Sequence, residues 1–264
     1  MIGIIGGNGF VGSAFVRHCQ RVGLAHATID RENYIAMVGR EWDILINANG
    51  NSKKFLANEE PLEEFDASVR SVRRSLQDFR AGCYVHLSTC DIYPNCSSPA
   101  ATRETGEPDV AKQSTYGFHK YLAEQCVRHA AGRWLIFRMG GFVGHGLKKN
   151  PIHDILHGQP LWLDPGSELQ FLNTDDAAGM IFRILESGIH HEIVNLCGSG
   201  VVALSEVLSL VSRPVAIRPN SPRVRYEVSI EKLAGLTWVP DTRKTVLSFV
   251  TSELVRQATV DNAA

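Results

Sequence analysis

The 264-residue chain has no surplus of either charge: 27 Lys and Arg stand against 28 Asp and Glu, a formal net charge of −1. A balance this even does not draw the protein to nucleic acid or to an anionic membrane. It also lacks any apolar run approaching the ~20 residues that span a bilayer. The first residues have neither a basic n-region nor a long apolar h-region, so no secretory leader is expected. There is no internal repeat and no low-complexity tract. None of the six cysteines forms a C-x-x-C pair, which points to reduced thiols in a cytoplasmic protein and away from a disulfide framework. What remains is an ordinary globular composition, 44% hydrophobic and 21% charged.

The first half alternates strand and helix. Met1–Ile5, Ala25–Asp30, Asp43–Asn47, Tyr84–Ser88 and Trp134–Arg138 read as short buried strands. Ser13–Val22, Glu32–Val38, Leu62–Arg80 and Thr115–Ala130 have helical spacing. This alternation predicts an α/β fold of the Rossmann type, a doubly wound parallel sheet with right-handed crossovers. Residues 1–140 form the expected dinucleotide-binding core. Residues 141–264, richer in Gly, Pro and His at their start, supply a small substrate-binding lobe and the last sheet strands. In that part Asp175–Glu186 and Val201–Val211 read as helices and Ile193–Leu196 as a strand.

The stretch "GIIGGNGFVG" follows the first strand directly. Gly7, Gly9 and Gly12 fit G-x-G-x-x-G, and Gly6, Gly9 and Gly12 fit G-x-x-G-x-x-G. A bare Asn-Gly hairpin is the simpler reading, but the helical spacing after Phe10 argues against it. A strand, a glycine turn and a helix N-terminus make an anion site, because unpaired N–H groups and the dipole's positive end meet there. The cradle comprises Gly6, Asn8, Gly9, Phe10, Val11 and Gly12. Asp30, roughly 20 residues on, is placed to hydrogen-bond the adenosine ribose and so favours NAD. Arg31 leaves NADP open, since it would pair with a 2′-phosphate.

In "YGFHK", Tyr116 and Lys120 lie one helical turn apart on one face. A cation beside a phenol favours its ionised form and is expected to lower its pKa from ~10, which suits it to exchange a proton with a substrate oxygen. The lysine can also hydrogen-bond the nicotinamide ribose. Upstream, "VHLSTCDIYP" is an apolar strand ending in hydroxyls, and ligands bind at strand C-termini in open α/β sheets. Thr89 or Ser88 is thus placed to share the substrate oxygen with Tyr116.

With "GGNGFVG", "ILINANG", "HLSTCDIYP", "STYGFHKYLAE", "IFRMGGFVGHG" and "LQFLNTDDAA" in this order to about residue 200, the chain resembles the extended short-chain dehydrogenases/reductases of the NAD-dependent epimerase/dehydratase family. The resemblance implies Thr89, Tyr116 and Lys120 as catalytic residues, with Asp91 a further acid/base or only a loop carboxylate. It implies Asn47, Ala48 and Asn49, Leu87 and Ser88, and Arg138, Met139, Gly140 and Gly141 on the cofactor side. Ser52, Cys90, Asp91, Phe142 and His145 are assigned to the substrate. It also implies a nucleotide-sugar substrate and a possible homodimer through Leu62–Arg80 and Thr115–Ala130. The stretch from Asp30 to Trp42 is short for the family, so the usual extra strand there is expected to be missing.

Three reactions share this start: reduction of a 4-keto sugar, epimerisation, and 4,6-dehydration using Asp91. A fourth reading is a non-catalytic cofactor-binding protein, which would not need an acid/base pair. Cys90 stands where the thymidine-diphosphate-sugar dehydratases have a second acid, which disfavours dehydration. The short chain favours the reductase. His153 and His157 mimic a zinc pair, but Asp replaces the Glu of H-E-x-x-H and no third ligand is evident, so no metal is expected. Arg213, Arg218, Arg223 and Arg225 either clamp a diphosphate or are solvated surface.

Overall fold

The computed structural model describes residues 1–50 and 54–261. Strand β1 (Ile2–Ile5) is buried along its whole length and runs into the glycine turn, after which helix α1 (Gly12–Val22) packs Ala14, Phe15 and Cys19 inward. Gly23, in the left-handed region at φ 72°, closes α1 by donating to Cys19. Then come β2 (His26–Ile29), the one-turn helix α2 (Tyr34–Met37) and β3 (Glu41–Asn47).

The segment expected as one helix over Leu62–Arg80 is divided. After the separate one-turn helix α3 (Leu56–Glu59), it runs as α4 (Pro61–Phe65), a π-turn over Asp66–Arg70 and α5 (Ser71–Asp78). Arg80 already belongs to β4 (Arg80–Thr89), which is twice the expected length. Its first residues alternate exposed and half-buried, a weak apolar signal, but they pair with Glu41 and Trp42 of β3.

Helix α6 (Thr115–Ala130) has the expected bounds. Ser114 caps it by accepting from the Gly117 N–H at 3.1 Å. It is followed by β5 (Trp134–Met139), β6 (Gly141–Val143), α7 (Pro151–Leu156), β7 (Glu168–Leu169), β8 (Phe171–Asn173), α8 (Thr174–Glu186) and β9 (Glu192–Leu196). The chain ends with β10 (Val202–Ala203), α9 (Leu204–Leu208), β11 (Arg225–Tyr226), α10 (Glu231–Leu236) and α11 (Thr242–Asp261). Val202 and Ala203, expected as helix, are strand because they pair antiparallel with β7. Helix α11 had no counterpart in the sequence reading.

The six-stranded parallel sheet has the order β2-β1-β3-β4-β5-β9. With β2 at the edge, the extra strand beyond it is missing among the described residues, as its short connection predicted. The order reverses at β1, so the crevice lies beyond the C-terminal ends of β1 and β3, where the glycine turn sits. One sheet face packs on α1 and α8 through Phe15, Leu87, Phe137 and Ile181. The other packs on α5 and α6 through Val72, Tyr84, Ala123 and Ile136. A separate cluster joins α7, α9 and α11 to β7, β8 and β10. No helix among the described residues is long and apolar enough to cross a membrane.

Candidate active site

The glycine turn is built for close approach. Gly6 adopts φ +76°, and a methyl on Gly12 would lie 2.1 Å from the Gly6 carbonyl oxygen. Helix α1 therefore starts directly against the turn. No side chain caps its N-terminus and its first turn has no acid, which leaves the positive end of the dipole for an external anion. These residues fit the diphosphate of a dinucleotide. Asn8 donates to Asp30 at 3.0 Å and ties the turn to the end of β2. The other Asp30 oxygen accepts from the Glu32 and Asn33 N–H groups. Arg31 is exposed.

From this turn a line of contacts runs to helix α6. Gly6 backs onto Ala48 and Asn49, 3.1 to 3.2 Å from an added methyl. One residue further, a methyl on Gly50 would lie 2.7 Å from Lys120 Nζ. Lys120 Nζ is 5.7 Å from the centroid of the Tyr116 ring. The start of α6 rests on the turn after β4, since a methyl on Gly117 would meet the Asp91 carbonyl at 2.3 Å. Thr89 donates to Asp91 Oδ2 and accepts from the Asp91 N–H, both at 3.1 Å. Lys54 completes this corner with a 2.7 Å ion pair to Asp91. The structure thus gathers the glycine turn, Ala48, Asn49, Thr89, Asp91, Tyr116 and Lys120 at the C-terminal edge of the sheet.

Other predicted side chains point elsewhere. Asn47 is buried, donates to Tyr84 at 2.7 Å and accepts from the Asn49 N–H, so it shapes the Ala48–Asn49 segment from behind. Leu87 and Phe142 are core residues. Ser88 donates to Glu124 at 2.5 Å, and Cys90 is fully buried against the Arg138 carbonyl. Arg138, expected beside the nicotinamide, is instead buried beneath α6. Its guanidinium forks onto Glu124 at 2.8 and 3.1 Å and donates to Tyr93 at 2.8 Å. Strand alternation explains this, because Arg138 shares a face of β5 with Trp134 and Ile136, and that face lies under α5 and α6. Met139, Gly140 and Gly141 follow at the strand end, with Gly140 against Cys197 Sγ. His145 is exposed, and Ser52 lies outside the described residues.

The lobe arginines have separate partners: Arg213 with Gln257, Arg223 with the Gly166 carbonyl, Arg225 with Glu168 and Glu227, and Arg218 over the Trp162 ring. They do not form a single clamp. The His153 and His157 rings stack at 4.0 Å, and no metal-holding cluster occurs among the described residues.

The ionisation of the pair departs from the expectation. Burial pushes the Tyr116 phenol up, and the Asp91 and Glu64 carboxylates add to this. Burial pushes Lys120 down to about 8, against an upward pull from Glu64. Low dielectric outweighs the cation's help to the phenol, because both groups lose water. Beside them His86 is wholly buried with neither ring nitrogen bonded, and burial, with Lys120 adding, pushes it down to about 3. The sequence assigns no role to Lys54, Gly50, Glu64 or His119, although Gly50 ends the segment "ILINANG" and His119 stands within "YGFHK".

Sheet order, glycine turn and Tyr/Lys helix together define a dinucleotide-binding protein of the short-chain dehydrogenase/reductase type. The model of the NAD-dependent epimerase/dehydratase family matches residues 2–197, and the chain belongs to that family. Its cofactor is a nicotinamide dinucleotide. No curated protein sequence matches the chain. Among solved structures it is similar to a UDP-galactose 4-epimerase at 20% identity, covering 97% of this chain and 99% of that one, with a TM-score of 0.75. It is similar to dTDP-4-dehydrorhamnose reductase from Bacillus anthracis in complex with NADP at 15% identity, covering 95% and 97%, with a TM-score of 0.77. MoeE5 in complex with UDP-glucuronic acid and NAD is 14% identical, with coverage of 97% and 99% and a TM-score of 0.78. At these identities the likeness is one of fold.

Proposed function

We propose that the chain is an NAD(P)-dependent oxidoreductase that reduces a 4-keto group on a nucleotide-linked sugar, with Tyr116 as proton donor. The line of contacts from Gly6 through Asn49 and Gly50 to Lys120 and Tyr116 carries this reading. It supports reading Tyr116 and Lys120 as an acid/base pair beside a diphosphate cradle. When bound, the nicotinamide supplies the hydride. Tyr116, whose phenol is held protonated by burial, gives its proton to the sugar oxygen. Lys120 lies between the cofactor segment and that phenol, where its charge stabilises the phenolate formed. Thr89 orients Asp91 at the rim. Asp30 favours NAD over NADP.

Asp91 bears on the alternatives. Its carboxylate accepts from Thr89 and pairs with Lys54, so it is engaged as an acceptor, and its neighbour Cys90 is buried. This arrangement favours reduction over elimination of water. Epimerisation would use the same residues, and one of the similar structures is a 4-epimerase. The test is a panel of nucleoside-diphosphate 4-keto sugars with NADH and with NADPH. Stoichiometric cofactor consumption supports reduction; isomerised product without net absorbance change would replace it with epimerisation. Tyr116→Phe is expected to lower turnover by ~10²–10⁴ while leaving NADH binding, read by fluorescence, intact. Equal turnover in both proteins would remove Tyr116 from the chemistry.

A further inference from the structure

Glu64 is fully buried, on the one-turn helix that precedes the π-turn. Its ion-pair partner among the described residues is the Nδ1 of His119, and the Ser68 hydroxyl donates to its other oxygen. His119 is itself buried and is gripped edge-on by Phe65, with ring centroids 5.3 Å apart at 90°. It immediately precedes Lys120 and follows Tyr116 by three residues. The π-turn lies just beyond Glu64 and brings Ser68 back onto it, and such turns concentrate at functional sites. A carboxylate wholly out of water requires a compensating cation. Among the described residues no arginine or lysine bonds it, and its partner His119 is the helical neighbour of the buried Lys120, so its charge lies in the same dry interior and raises both Tyr116 and Lys120.

We propose that Glu64, clamped by His119 and Ser68, is the buried counter-charge that keeps the Lys120 side chain in its ammonium form beside Tyr116. Glu64 and His119 are positioning residues; neither is placed against substrate. This rests on the role of Tyr116 and Lys120 proposed above. The other groups around the pair are accounted for. His86 faces Lys120 from β4 and carries no bonded proton donor. Asp91 faces Tyr116 from the turn after β4 and is paired with Lys54, which precedes α3. Glu124, one turn beyond Lys120, is matched by Arg138 of β5. From α5 and the π-turn, the polar side chains turned inward are the uncharged Ser75 and Ser68, beside Val69 and Val72, while Asp66 pairs with Arg70 at the surface. Glu64 is therefore the one carboxylate near Lys120 not already matched by Lys or Arg among the described residues.

The direct test is the titration of the Lys120 ammonium by NMR of isotopically labelled lysine in the cofactor-free protein. Its midpoint in the wild type is expected near 8, where burial places it. Glu64→Gln is expected to lower it by at least about one unit. Glu64→Asp, which keeps the charge but withdraws it by one methylene, should lower it by less. If Glu64→Gln does not fold, the comparison of Glu64→Asp with wild type still decides the matter. An unchanged Lys120 midpoint in the folded variants overturns the proposal. The readout needs no substrate, so a wild type inactive on every keto sugar would defeat the functional reading without touching this one. On an active enzyme, Glu64→Gln should move the basic limb of the kcat–pH profile to lower pH with KM unchanged.

Discussion

Two buried carboxylates flank the buried face of helix α6, and they are treated in opposite ways. Glu124 receives a forked guanidinium from Arg138 and a hydroxyl from Ser88, so both oxygens have strong, directional partners. Glu64 has an imidazole and a hydroxyl, and its charge extends to Lys120 and Tyr116. A charge saturated by bidentate bonds fixes geometry and has little left to influence its surroundings. A charge held by weaker partners acts on its neighbours' protonation. The first pair locks α6 to β4 and β5; the second tunes what α6 carries at its other end. One helix thus needs both to present Tyr116 and Lys120 in place and in the required ionic form.

The largest expected effect breaks the saturated pair. Arg138→Ala leaves Glu124 buried and unmatched, and should cost about 3–5 kcal/mol of unfolding free energy, measured by urea denaturation. Replacing both partners by apolar residues should recover most of that loss. A single variant costing as little as a surface change would mean that α6 does not depend on the fork.

Next is Lys120→Met. Folded Lys120 titrates near 8, whereas in the unfolded chain lysine titrates near ~10.4. Between these values the unfolded state binds more protons, so the lysine's contribution to stability rises with pH across that window. Below pH 8 its full burial cost remains. The variant should be more stable than wild type at pH 7 by on the order of 3 kcal/mol, with the gain vanishing towards pH 10.5. Difference melts at pH 7, 9 and 10 test this, and a pH-independent difference contradicts it.

Glu64→Gln should be milder than Arg138→Ala, costing about 1–2 kcal/mol, because it discards charged hydrogen bonds but also a burial penalty. A cost equal to that of Arg138→Ala would erase the distinction between the two carboxylates. The smallest effect belongs to Lys54→Ala. Lys54 is 63% exposed in its pair with Asp91, so water screens it and stability should change by less than about 1 kcal/mol. A larger loss would make this rim pair a third structural anchor.

How much of this the sequence shows depends on the range of the interaction. The β1–turn–α1 unit was legible because Gly6, Gly9 and Gly12 answer to backbone sterics within a few residues. Helix α6 was legible to the residue because Tyr116 and Lys120 follow its period, and the structure adds the Ser114 cap at its start. Strand β4 is longer than its apolar stretch predicts because its first residues, Arg80 to Cys83, owe their conformation to pairing with β3. Helix α11 went unread, although Val246 and Val250 are fully buried, because the cluster they join is drawn from α7, α9 and β8. The family resemblance alone puts Arg138 on the cofactor side, and the register that turns it under α6 is visible only once β4 and β5 are paired.

By itself, then, the sequence determined the α/β order, the anion-binding turn and the placing of Tyr116 and Lys120 on one helical face, since each depends on local geometry. Tertiary structure alone decided which charges share a dry interior. Glu64 and Lys120 are far apart along the chain, as are Lys54 and Asp91, and no local periodicity links them. Electrostatic coupling depends on distance in space and on exclusion of water, and both arise only when the helices close over the sheet.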